Sequence, residues 1–200
     1  RVAAGLQGIA HDDVVDGGME RRGRPSFWVS EGVKGAVLLG DLLVSHSMNL
    51  VLKATPGAVP ILVMTLQEMC SAELEQEFNA FTGNGTWARC VDIARRKTGS
   101  LFGFSGYCAG GNNPELSKAL RRAGYAIGTA YQLADDLLDT GGNTGLAGKT
   151  LGTDAAGNKL TAASVSRHGG SNPLKSIRRL VLASGNELAA WPRILEAWKE

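Results

Sequence analysis

The stretch DDVVDGG at residues 12–18 returns later in the chain as DDLLDTGG at residues 135–142. Each copy carries aspartates at positions i, i+1 and i+4, and glycines follow close behind. Positions i and i+4 of a helix lie on one face about one turn apart, and glycine is typical of the residue just beyond a helix C-terminus. The pattern therefore predicts two helices that each end in a cluster of carboxylates.

Carboxylates are unfavourable at this end of a helix, because the helix dipole already places partial negative charge there. The like charges of one cluster also repel each other. Two such clusters therefore indicate a bound cation. All the candidate ligand atoms are oxygens, which favours Mg²⁺, or else Mn²⁺. The predicted ligands are Asp12, Asp13, Asp16, Asp135, Asp136 and Asp139.

A single acidic triplet would more often be a solvated helix face. The recurrence of the same spacing with the same following glycines favours the metal site instead. His11 precedes the first cluster, but Ala134 holds the same place before the second. His11 is therefore predicted to be a supporting or core residue rather than a ligand.

Basic and polar side chains accompany both clusters. Arginines follow the first cluster, and a guanidinium can bind a diphosphate through two parallel hydrogen bonds. A Lys-Thr pair lies in the segment RRKTGSLF, and a glutamine lies one turn before the second cluster. Taken singly, each lysine is more typical of a protein surface than of a binding site. The predicted set is Arg21, Arg22, Lys97, Thr98, Gln132, Lys149 and Lys159.

Composition bounds the class of protein. The 200 residues are 44% apolar and 20% charged, with a formal net charge of +2, which is typical of one soluble globular domain. So small a net charge predicts no nucleic-acid partner and at most peripheral membrane contact. The apolar run GAVPILVMTL contains a proline and is too short to span a bilayer. Three widely spaced cysteines without a CxxC motif favour a reducing, cytoplasmic location.

The apolar spacing is helical along most of the chain, and no alternating strand is evident, so the fold class is predicted as all-α. The first residues read as the middle of a helix and the last residues stop without a terminator, which predicts a native chain that extends at one or both ends. A glycine-rich loop is predicted at 140–158. The predicted helices cover 32–53, Pro60 to Phe78, 86–109, 115–139 and the region after Lys159.

The motifs resemble those of the trans-polyprenyl diphosphate synthases. DDVVD with RRGRP is similar to the first aspartate-rich motif of that family, and GTAYQLADDLLD to the second. AELEQ at 72–76 loosely resembles a Gly-Glu-x-x-Gln segment, with Ala72 in place of the glycine, and KTGSLF resembles a Lys-Thr segment. GKTLGTDAAGNKLT is similar to the lysine-bearing loop that follows. The matches keep the family's order from His11 to Thr161.

The resemblance implies a single all-α domain over 1–200, an isoprenoid synthase-type bundle around a central cavity, usually as a homodimer. It implies a head-to-tail condensation of isopentenyl diphosphate with an allylic prenyl diphosphate. The six aspartates would bind Mg²⁺ directly or through water, Arg22 would help to hold the isopentenyl diphosphate, and Thr98 is a candidate acceptor for the proton that is lost. The allylic diphosphate would be held by Arg21, Lys97, Gln132, Lys149 and Lys159.

Product length is predicted from the turns that precede the first cluster. Ala4 and Gly8 lie two turns and one turn before Asp12, and both are small. A groove there would admit a product of C20 or longer, whereas Gln7 argues against a very long one. The alternative is that Ala4 and Gly8 only permit close helix packing.

Two other functions compete with this one. A catalytically weak or regulatory subunit of a heteromeric synthase is favoured by the lack of an upstream Gly-Lys-Arg segment that family members carry, but six intact aspartates disfavour it. A class I terpene cyclase is disfavoured because the second motif is fully aspartate.

Overall fold

Two of the described helices begin at side-chain caps that are evident in the hydrogen bonds. The computed structural model describes residues 10–21, 23–78, 85–141, 152, 159–169 and 172–189. Thr86 accepts a hydrogen bond from the Arg89 amide at the start of one helix (3.2 Å), and Asn113 accepts one from the Leu116 amide at the start of another (3.1 Å). Such caps satisfy amides that have no partner within the helix.

The elements are numbered in chain order. Residues 10–15 form the described part of α1. Two short strands follow, and the remaining helices account for most of the described chain. They are β1 (Glu20–Arg21), β2 (Arg24–Pro25), α2 (Phe27–Ala54), the 3₁₀ turn Pro56–Ala58, α3 (Val59–Phe78), α4 (Trp87–Ala94), the π turn Arg95–Gly99, α5 (Ser100–Ala109), α6 (Pro114–Gly141), α7 (Ala162–Gly169) and α8 (Pro173–Ala189).

The all-α prediction is confirmed, with two local corrections. The expectation of no strand is wrong, because β1 and β2 form an antiparallel hairpin of two residues each. Helix α2 begins at Phe27 instead of residue 32, and it continues through a kink at Gly32, whose φ is 77°. The loop predicted at 140–158 lies outside the described residues, except that α6 continues to Gly141 and Gly152 is described.

The chain divides into two units, Arg1–Pro60 with Leu137–Lys159, and Ile61–Asp136 with Leu160–Glu200. In the first unit, α1 packs against α2 through His11 and Gly40. A β-carbon on Gly40 would lie 2.2 Å from the His11 Nε2 atom, so only glycine admits the ring. The same atom lies 3.2 Å from the Val37 carbonyl oxygen and 3.4 Å from an Asp41 carboxylate oxygen. The ring of His11 thus contacts α2, and its supporting role beside the first cluster stays a prediction.

In the second unit, α5 and α6 approach each other at glycines. A β-carbon on Gly106 would lie 2.2 Å from the Leu120 carbonyl oxygen, and one on Gly124 would lie 2.3 Å from the Phe102 carbonyl oxygen. Both contacts are with backbone atoms, which cannot move aside as a flexible side chain could. These glycines therefore set how closely the two helices pack.

Helix α2 is a longer apolar segment than the run GAVPILVMTL. It has 28 residues, and an 18-residue window has a mean hydropathy of 1.5 with 17% of that window buried. By length and composition alone, it is the one helix among the described residues that could span a bilayer. The core helix of a soluble protein passes the same test, so the observation is weak.

We expect Gly106→Ala to lower the free energy of unfolding by about 1–3 kcal/mol, because the new methyl group overpacks the contact with α6. Gly185→Ala is the matched control, since it lies in α8 with no atom within 4 Å of an added β-carbon. The control should raise stability by up to about 1 kcal/mol through helix propensity. Chemical denaturation measures both, and a Gly106→Ala protein as stable as the wild type would contradict the close approach.

Candidate functional site

The first acidic cluster lies at the C-terminus of α1, as predicted. The Asp16 amide donates to the Asp12 carbonyl oxygen (2.7 Å), and the Gly18 amide donates to the Asp13 carbonyl oxygen (3.0 Å). Gly17 has a φ of 64°. This positive φ together with the bond from Gly18 forms a Schellman ending, which glycine adopts without strain. The helical turn keeps the first and last aspartates of the cluster on one face.

The β-hairpin returns Arg21 onto Asp13. The Arg21 Nε atom lies 2.9 and 3.1 Å from the two Asp13 carboxylate oxygens, and Nη2 lies 2.7 Å from Oδ1. Burial alone would lower the pKa of Arg21, but the hydrogen bond and charge of Asp13, with the charges of Asp12 and Asp16, raise it. Asp13 is only 5% exposed, so its carboxylate is held in place by a permanently charged partner.

Lys159 forms an ion pair with Asp16 within the same unit, although 143 residues separate the two in sequence. The lysine is 5% exposed. Burial of an ammonium is costly unless a carboxylate accompanies it, and Asp16 meets that requirement. Two of the predicted cations, Arg21 and Lys159, are therefore placed directly on the first acidic cluster.

The second cluster lies in the last turns of α6. Asp136 is 4% exposed and accepts from the Gln132 Nε2 atom (2.8 Å) and the Ala162 amide (3.0 Å) through different carboxylate oxygens. Burial raises the pKa of Asp136, while these hydrogen bonds and the charge of Lys97 oppose the rise. Asp139 is also buried, and its Oδ1 atom accepts from the Gly152 amide (3.1 Å).

The Lys-Thr pair lies in the π turn between α4 and α5. Lys97 Nζ lies 2.9 and 2.7 Å from the two Glu73 carboxylate oxygens and donates to Gln76 Oε1 (3.1 Å). Thr98 donates to Gln132 Oε1 (2.5 Å). Gln132 therefore joins the threonine to the second acidic cluster, as its spacing predicts.

Sequence reasoning missed Glu73 and Gln76 as site residues. Their signal was the AELEQ segment, in which the two residues lie three apart and so share a helix face. The predicted residues Arg22, Lys149, Ala4, Gln7 and Gly8 lie outside the described residues.

The metal prediction has mixed support from the geometry. Within the described part of the chain, no group of three or more His, Cys, Asp or Glu side chains is arranged to hold a metal ion. The donor chemistry does suit a hard cation, because both clusters offer carboxylate oxygens only. Both carboxylate oxygens of Asp13 and of Asp136 already accept hydrogen bonds from the protein, so an ion at either side chain would compete with those donors.

A comparison with protein families decides the relationship. The family described as Polyprenyl synthetase matches residues 8–188. The chain belongs to the polyprenyl synthetase family. This confirms the resemblance drawn from the motifs.

Two relatives and one solved structure illustrate the similarity of this polyprenyl synthetase homologue. Nonaprenyl diphosphate synthase of Mycobacterium tuberculosis is 33% identical over 152 residues, 74% of this chain and 45% of that protein. Heptaprenyl diphosphate synthase component 2 of Bacillus subtilis is 31% identical over 163 residues, 78% of this chain and 46% of that protein. A polyprenyl synthase from Caulobacter crescentus, complexed with calcium and isoprenyl diphosphate, is 28% identical with a TM-score of 0.77, over 94% of this chain and 63% of that one.

The chain thus spans about half the length of the curated relatives it matches. The structural likeness confirms the all-α fold of the family.

Proposed function

We propose that the protein is a trans-polyprenyl diphosphate synthase, which condenses isopentenyl diphosphate head to tail with an allylic prenyl diphosphate. The observation that carries the proposal is the pairing of predicted diphosphate-binding cations with acidic side chains. Arg21 and Lys159 contact the first cluster, and Lys97 contacts Glu73 and Gln76. A repeated acidic motif with cations built around it, in a chain of this family, suits chemistry on a diphosphate.

Mg²⁺, or Mn²⁺, would be held by aspartates of the two clusters. The proposed ligands, which would bind the ion directly or through water, are Asp12, Asp13, Asp16, Asp135 and Asp136. Asp139 would act directly or through water. When bound, the metal neutralises the charge that develops on a departing diphosphate.

The chain's own basic side chains, with one glutamine amide, would bind and orient the diphosphates. Arg21, Lys97, Gln132, Lys149 and Lys159 are proposed for the allylic diphosphate and Arg22 for the isopentenyl diphosphate. Fixed donors aimed at developing negative charge lower the barrier to breaking the allylic C–O bond. The isopentenyl double bond then forms the new C–C bond, and the proton that is lost goes to the departing diphosphate or to the Thr98 oxygen.

A product of C20 or longer is proposed for this enzyme. The support is the small side chains of Ala4 and Gly8 in the sequence, together with relatives that are named nonaprenyl and heptaprenyl diphosphate synthases. A cytoplasmic location is part of the proposal, because Cys70, Cys90 and Cys108 are free thiols.

Product chromatography tests the activity. With isopentenyl diphosphate, farnesyl diphosphate and Mg²⁺, we expect all-trans products of C20 or longer, and chelation of the metal should abolish them. Absence of any longer product would favour the alternative of a weak or regulatory subunit in a heteromeric synthase. The name of the component 2 relative gives that alternative its support.

Asp12→Ala and Asp135→Ala should each lower kcat/KM by about a thousandfold, since each removes an electrostatic group at the reacting centre. The fold should persist, and the melting temperature without Mg²⁺ should be unchanged or higher because a self-repelling charge is gone. Asp92→Ala is the control, because Asp92 is an exposed acid of α4 that pairs with Arg96. Wild-type turnover in either cluster variant would count against the proposed roles.

A homodimer is proposed, with α2 providing the contact. Leu38, Leu42 and Leu52 lie along one face of α2 and are 69%, 64% and 57% exposed. An apolar stripe of this length on a helix is typical of a protein interface.

We expect Leu38→Asp to shift the protein from dimer to monomer, because a carboxylate cannot be buried unpaired in that face. Light scattering after size exclusion measures the mass. Leu174→Asp is the matched control, since Leu174 is 70% exposed on α8. A monomeric wild type would contradict the homodimer, and a dimeric Leu38→Asp protein would contradict this face.

A further inference from the structure

Two side chains of the AELEQ segment contact Lys97, and the proposed reaction assigns no role to them. Glu73 and Gln76 lie one turn apart on α3, and both contact the ammonium of Lys97. The Lys97 and Glu73 side chains are 18% and 19% exposed. The lysine head therefore lies in a part-buried cradle with a carboxylate on one side and an amide oxygen on the other.

Gln76 also reaches a second element through its other amide atom. Its Nε2 atom donates to the Leu160 carbonyl oxygen (3.1 Å), and this hydrogen bond is buried. Gln76 is itself 5% exposed. One buried amide thus connects the lysine of the π turn to the backbone at residue 160.

A second hydrogen-bonded chain runs alongside the first. Thr98 donates to Gln132, Gln132 donates to Asp136, and Asp136 accepts from the Ala162 amide. Lys97 is therefore linked to the segment 160–162 through Gln76, and the next residue, Thr98, is linked to it through Gln132. A shift of the segment 160–162 would break two buried hydrogen bonds, and a shift of the turn would break part-buried ones.

We propose that Glu73 and Gln76 are positioning residues that hold the Lys97 ammonium in the place where it binds the allylic diphosphate. The inference rests on the proposed function, in which Lys97 contacts that group. A lysine has a flexible four-carbon stem, and ordering it costs side-chain entropy. The cradle orders the ammonium in advance, so substrate binding does not bear that cost.

Glu73 also has an effect on diphosphate binding that opposes the benefit of ordering the lysine. The Glu73 carboxylate also cancels part of the lysine charge, so its removal could strengthen attraction to a phosphate. In the part-buried cradle, however, loss of the carboxylate releases the ammonium from its fixed place. Positioning outweighs charge here, because an ammonium that leaves the cradle contributes little to binding at all.

The experiment compares Glu73→Gln with Glu75→Gln. Both variants remove one negative charge from α3. Glu75 instead pairs with Arg89 and Arg96, and Arg96 precedes Lys97 in the same π turn. The control therefore disturbs an anchor of the turn without touching the lysine. We expect Glu73→Gln to raise the KM for farnesyl diphosphate about tenfold with kcat little changed, and Glu75→Gln to leave KM unchanged.

Calorimetry with inorganic diphosphate and Mg²⁺ gives a readout that does not need turnover. Glu73→Gln should bind this probe about tenfold more weakly, and Glu73→Asp, which keeps the charge, should recover part of the loss. In a Lys97→Met background, Glu73→Gln should have no further effect on diphosphate affinity, because the residue acts only through the lysine.

The outcomes separate the two proposals. A wild type that neither binds diphosphate nor forms product overturns the proposed function and the inference that rests on it. An active wild type overturns the inference alone if Glu73→Gln matches Glu75→Gln, if its KM falls, or if its effect persists without Lys97. If Glu73→Gln fails to fold, Gln76→Met tests the same cradle, since it removes one acceptor of the ammonium at similar volume.

Discussion

Compensation of negative charge at the C-terminal ends of α1 and α6 is the constraint on which the rest of the structure depends. The helix dipole and the neighbouring carboxylates both oppose negative charge there, so the aspartates need hydrogen-bond donors or cations. The hairpin brings Arg21 into an ion pair with Asp13, and Lys159 forms an ion pair with Asp16. On α6, Asp136 takes donors from Gln132 and the Ala162 amide. The acidic motifs therefore organise the segments around them as well as offering ligand atoms.

The parts of the fold that the sequence predicts are those set by local rules. Spacing of i and i+4 placed each acidic cluster on one helix face, and glycine placed the end of α1, where Gly17 has a positive φ. The predicted start of α6 at residue 115 lies one residue from the observed start at Pro114. Each of these signals acts over one or two turns, so the residues that cause the feature lie next to it in the sequence.

The parts that could not be predicted depend on contacts between distant residues. Nothing near Asp16 indicates that its partner lies at Lys159, and nothing near Lys97 indicates Glu73. The hairpin strands have two residues each, too few for an alternating pattern. The start of α2 was placed late because Gly32 resembles a helix boundary, whereas its positive φ makes only a kink. Distance in sequence, rather than weakness of interaction, hid these features.

The π turn at Arg95–Gly99 gives the helix pair α4–α5 one residue more than a regular α-helix would hold there. Every side chain after the turn is therefore rotated by about 100° from the direction it would have in an uninterrupted helix. The direction of α5 therefore depends on the number of residues in the turn as well as on their chemistry. Deletion of one residue of the turn other than Lys97 or Thr98 would keep both of those side chains in the chain and yet rotate α5 away from its present direction.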